Sequence, residues 1–172
     1  MREETGARGR DRRVQLRIES FPKFTQPLLR YFRVDFASER RPSLSHVLFA
    51  TLVAIVGAEI ADALIVALGM KIYSSTKGYG HFRFSDYSTL TIIGVIIACV
   101  GWPIVTRVTS SARWLYYRAA IAVTIVLLVP DALIWYQGSP ARAVFVLVWM
   151  HLAIAIVTYN ALVHLAPVPR AR

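Results

Sequence analysis

Four long apolar runs dominate this chain and leave it little choice of fold. They cover roughly residues 44–70, 90–105, 115–136 and 143–165. About 20 mostly apolar residues suffice for a helix to cross a lipid hydrocarbon core, and in lipid a run must satisfy its own backbone groups, which leaves helix. The second run is the shortest, but Ser88, Thr89 and Thr106 extend it into the interfaces. The runs lack the broad charged face that a helix of a soluble bundle would show. The reading is an all-α integral membrane protein, a four-transmembrane-helix bundle over residues 44–166. A basic segment, residues 1–43, precedes it, and a short tail, residues 167–172, follows.

The distribution of charge orients these helices. The 172 residues are 56% hydrophobic and only 17% charged, yet 20 Lys and Arg against 10 Asp and Glu give a formal net charge of +10. Such a chain is unlike a soluble enzyme. It is also unlike a nucleic-acid binder, whose basic residues lie on a polar surface. Eleven basic residues precede residue 44; Arg107, Arg113 and Arg118 lie between the second and third runs; Arg170 and Arg172 close the chain. In a four-span protein these sixteen share one side, and Lys71, Lys77, Arg83 and Arg142 share the other. The positive-inside rule then puts both termini in the cytoplasm and the protein in the inner, or plasma, membrane. The first apolar run begins too late for a secretory signal peptide. One cysteine, Cys99, excludes an internal disulfide framework and a cysteine-based zinc site, and it reads as a packing residue.

The N-terminal segment divides in two. Residues 1–13 are polar and rich in Arg and Gly, with little to bury, and are expected to be disordered. In residues 14–43, Lys23, Arg30 and Arg33 mingle with Phe32 and Phe36. That mixture suits a stretch lying on the anionic inner leaflet, aromatics inserted and arginines at headgroups, or a docking segment for a membrane protein partner.

Ionisable residues inside the runs are costly in lipid, so each is a candidate site. Glu59 and Asp62 share a face of the first run, Asp131 follows Pro130 in the third, and His151 lies in the fourth. At a rise of about 1.5 Å per residue, all four fall in the outer half of a bundle and could meet there. A proton or cation pathway, a pocket for a lipid headgroup, and hydrogen-bonded glue between helices all remain open to them. The Glu-x-x-His pairing of di-metal bundles is missing, and no metal is assigned.

Gly94, Ala98 and Gly101 form a small-residue stripe expected to pack helices closely, with Ala54, Ala58 and Ala61 offering a second. Pro103 and Pro130 are expected to kink or end their helices. Trp102, Trp114, Trp135 and Tyr136 read as interface anchors. In the first outer loop, about residues 71–89, KGYG is a turn signal and HFRFSDY alternates with period two, which reads as a small outer β-hairpin. The chain carries no phosphate-binding loop, HExxH, nucleophile elbow or CxxC, so neither catalytic residues nor a cofactor are assigned.

The string WMHLAIA at Trp149–Ala155, with Asp131 near the outer end of the third run, resembles small four-helix membrane proteins common in actinobacteria, whose function is not established. The similarity covers about residues 44–166 and implies the same four-span fold. The long basic N-terminus departs from that compact pattern and would suit an accessory subunit; the Mce-type lipid transporters, which contain small membrane subunits, are one candidate assembly. The expected function is a non-enzymatic accessory or regulatory subunit of a membrane complex. A small transporter or channel using the acid and His residues is the alternative, and a membrane enzyme acting on lipid ranks last.

Overall fold

A computed structural model describes residues 21–34 and 41–168. The expected disorder of residues 1–13, the position of Phe36 and the end of the tail lie outside the described residues. Each apolar run is a single long helix. A short helix α1 (Gln26–Tyr31) comes first, followed by α2 (Leu44–Ile72), α3 (Phe84–Val108), α4 (Ala112–Tyr136) and α5 (Ala141–Leu165). The last four are long and apolar enough to cross a membrane. Even the 25-residue helices reach about 37 Å, more than the ~30 Å hydrocarbon core.

The helices run up and down, which defines two ends. The near end carries α1, the start of α2, the α3–α4 turn and the end of α5. The far end carries the α2–α3 loop and the α4–α5 turn. Helix α5 is the hub and packs on α2, α3 and α4, most extensively on α2. Helix α4 is the least enclosed: 6% of its most apolar stretch is buried, against 28–33% for the other three.

Small residues set the α2–α5 contact. Ala50, Ala54 and Ala58 recur every fourth residue and are fully buried. A methyl group added to Gly69 would stand 2.7 Å from Val146 Cγ2, and one added to Gly57 would stand 2.9 Å from Val157 Cγ1. The expected stripe on α3 behaves otherwise. Gly94 faces outward, and a methyl added there would meet nothing within 4 Å; only the aromatic edge of Tyr116 approaches Gly101, at 4.0 Å. Ala98 contributes through its backbone, accepting the Tyr116 hydroxyl at 3.0 Å. Tight packing on α5 therefore belongs to α2, because Gly57 and Gly69, unlike Gly94, meet a neighbouring helix.

Two apolar cores lie along the bundle. The near core joins Ala50, Ala54 and Ala58 to Val95, Cys99, Trp102, Tyr116 and Leu162. The far core joins Val66, Phe82, Tyr87, Val146 and Met150. Trp102 is fully enclosed and donates its indole N–H to the Ala166 carbonyl at 2.9 Å, so it ties α3 to the end of α5 and is no interface anchor. Trp135 and Tyr136 are exposed at the far end. Both Pro103 and Pro130 lie inside continuous helices.

The expected outer β-hairpin does not form. The far loop consists of two 3₁₀ turns, Ser74–Thr76 and Gly80–Phe82, around Gly78, whose φ of 82° makes the KGYG turn. An isolated two-stranded hairpin is marginal at best, whereas this sequence has better uses for its residues. Thr76, Phe82 and Tyr87 are buried against the bundle, and the alternating stretch from Phe84 onward continues α3 by a turn and a half.

Candidate functional site

Between the two cores lies a polar layer, built from one or two residues of each long helix. Asp62 of α2 is fully buried, and its Oδ2 accepts a hydrogen bond from the Thr91 hydroxyl of α3 at 2.7 Å. Its other oxygen is buried without a hydrogen-bond partner, as are both carboxylate oxygens of Glu59, one turn nearer the near end. Asp62 is within electrostatic range of Glu59 and of His151, and the Tyr87 hydroxyl within range of both acids.

On the other side of α5, Asp131 of α4 is buried and faces His151. His151 Nδ1 lies 3.1 Å from Asp131 Oδ2 at an ion-pair distance, without meeting hydrogen-bond geometry. The same nitrogen lies 3.0 Å from the Leu147 carbonyl, one turn back on α5. A carbonyl only accepts, so that contact needs the hydrogen on Nδ1. Asp131 is also within electrostatic range of His81 in the far loop. A discontinuous polar series thus runs from His81 through Asp131 and His151 to Asp62 and Glu59. Toward the near end it meets the apolar core capped by Trp102.

The four sequence candidates are linked in series: Asp131 and His151 lie at ion-pair distance, Asp62 is within electrostatic range of His151, and Glu59 within range of Asp62. Among the described residues they do not form a group of three or more that could hold a metal ion. The sequence reading missed Thr91, a hydroxyl hidden among many in an apolar run. Only its position opposite Asp62 across the helix interface distinguishes it. Thr158 of α5 is likewise buried with an unpartnered hydroxyl.

The N-terminal candidates form a second assembly, at the near end. Residues 21–34 are clasped to the α3–α4 turn. The Thr109 hydroxyl donates to the Arg33 carbonyl at 2.6 Å, where Arg33 adopts a left-handed φ of 52°, and Val34 is buried. The Arg33 guanidinium lies over the Trp114 ring, 5.0 Å from its centroid. Arg118 lies over the same ring at 4.2 Å and donates from Nη1 to the Tyr31 hydroxyl at 2.7 Å. Phe32 is half-buried against Tyr31, and Lys23 and Arg30 are exposed. Trp114 and Arg118, read only as an anchor and a loop charge, are thus the seat of the segment. The chain matches no family model, no curated protein and no solved structure.

Proposed function

We propose that this chain is a four-span membrane protein with both termini in the cytoplasm, acting as a non-enzymatic accessory or regulatory subunit of a larger membrane complex. The near end is then the cytoplasmic face. The observation that carries the subunit reading is α4, a long apolar helix that its own bundle scarcely covers and that is held chiefly through α5. A partner helix could complete its packing where lipid now would. The polar layer fits the same role, since Asp131 and His151 face each other and the apolar near core lies between the layer and the near end. Purifying the tagged protein from native membranes in mild detergent should bring down stoichiometric partners, with components of a lipid-moving assembly the first to look for. Repeated recovery of a clean monomer would refute the subunit reading.

A second reading, a small proton or cation transporter, draws on the polar series from His81 to Glu59. In reconstituted vesicles its flux should fall in Glu59→Gln and Asp131→Asn. Unchanged flux in both would eliminate it.

A further inference from the structure

We propose that α1, Trp114 and Arg118 together form a binding site for the anionic headgroup of an inner-leaflet phospholipid. The proposal rests on the four-span reading with the near end in the cytoplasm.

The site begins with how α1 is held. Four contacts fix it and the residues after it to the bundle: the Thr109 hydroxyl on the Arg33 carbonyl, the Arg118–Tyr31 hydrogen bond, the Arg33 guanidinium over Trp114 and the Arg118 guanidinium over the Tyr31 ring. Trp114 and Arg118 lie in the first two turns of α4. From the start of α4, Arg118 is about 9 Å along the helix, the depth at which an interfacial helix meets the boundary between headgroups and acyl chains. The bundle therefore fixes α1 at membrane-surface level.

The side chains suit that level. Phe24, Leu28 and Tyr31 recur at helical spacing and are 81%, 58% and 60% exposed. A solvated helix would present such a stripe to water at a cost, whereas a lipid surface takes it up. Beside the stripe stand Lys23, Arg30, Arg33 and Arg118, all exposed. Arg33 and Arg118 carry two like charges against one indole ring. Cation–π attraction holds each to the ring, and among the described residues no acid forms an ion pair with either. The four acids among the described residues do not supply the counter-charge: Glu59, Asp62, Asp86 and Asp131 all lie in the far half of the bundle. A phosphate group beside the two guanidinia meets both with charge-assisted hydrogen bonds, and its acyl chains can lie along α4. An acidic protein would also satisfy the charge, but it would leave Phe24 and Leu28 without an apolar medium, so lipid is the occupant argued for.

The test uses the full-length protein in nanodiscs made from equal parts phosphatidylglycerol and phosphatidylcholine, with retained lipid counted by native mass spectrometry. The wild type should retain phosphatidylglycerol in preference. Arg33→Gln with Arg118→Gln should weaken that retention about thirtyfold, taking the usual contribution of each basic residue at an anionic surface. Arg83→Gln at the far end should leave it intact. Equal retention of the two lipids by the wild type, or undiminished preference in the double variant, would overturn the proposal. So would release of the lipid by inorganic phosphate alone, which marks a small-anion site, or loss of a co-purified acidic protein in place of lipid. If the double variant does not incorporate, the wild-type comparison decides alone. Failure of the wild type to enter nanodiscs would instead overturn the four-span reading beneath it.

Discussion

Replacing Gly69 by Ala should loosen the bundle, while the same change at Gly94 should not. The new methyl at Gly69 would meet Val146 Cγ2 at 2.7 Å and Cγ1 at 3.1 Å, where unstrained carbons sit about 3.5–4.0 Å apart. Both Val146 methyls flank the position, so rotating the side chain exchanges one clash for the other. Val146 is itself buried in the far core and has little room to retreat. Overpacking of this kind costs about 1–3 kcal/mol. Two contacts this short belong to the upper part of that range, about 2–3 kcal/mol; removing a helical glycine returns about 1 kcal/mol, leaving a net loss of about 1–2 kcal/mol. For a chain of this length that corresponds to an apparent Tm lower by about 2–8 °C, read by intrinsic fluorescence in one fixed detergent. Gly94→Ala meets nothing within 4 Å and should hold or raise the Tm. Trimming the obstacle provides an internal control: in a Val146→Ala background, Gly69→Ala should cost nothing further. Equal losses at Gly69 and Gly94, or a harmless Gly69→Ala, would refute the close α2–α5 contact.

Three further outcomes follow from the polar layer and the Trp102 contact at the near end. Thr91→Val removes the one hydrogen bond that Asp62 accepts, leaving a fully buried carboxyl unpartnered; stability should fall by about 1–3 kcal/mol, and Thr91→Ser should restore it. Asp131→Leu and His151→Leu should be non-additive, the double variant losing about 0.5–1.7 kcal/mol less than the two single losses together; strict additivity in a double-mutant cycle would show that the 3.1 Å contact carries no energy. Trp102→Phe keeps an aromatic ring but loses part of the buried indole and strands the Ala166 carbonyl, so stability should fall by at least about 1–3 kcal/mol, with faster hydrogen exchange at the end of α5.

Particular residues show how far sequence reasoning reached into the site. An acid in an apolar run is conspicuous by its cost, so Glu59, Asp62, Asp131 and His151 could be named without coordinates. Their partners could not. Thr91 is one hydroxyl among several, and a hydroxyl can always turn back on its own helix, as Thr51, Thr89 and Thr124 do. Whether it does so or reaches across is decided by the rotation of two helices about their axes. Gly94 meets no helix of its own chain for the same reason: a small-residue spacing says that a close approach is possible on that face, not that another helix lies there. The far loop misled in a different way. Period-two alternation over a few residues fits a strand, but burial of Phe82 and Tyr87 in the far core drew the chain into a 3₁₀ turn and then a helix.

What the sequence determined by itself is the set of quantities that depend on composition along the chain. The four helices, their number and approximate limits, and the separation of basic residues to one end all follow from run length and the demand that every backbone group be satisfied locally. What only the tertiary structure decided is everything that depends on which faces meet. It chose α5 as the hub, joined Asp131 to His151 and Asp62 to Thr91, and folded Arg33 back over Trp114 beside Arg118. An all-round apolar helix carries almost no directional signal about which face turns inward. That choice falls to close packing, where a methyl group at Gly69 or a buried hydroxyl at Thr91 sets the fit.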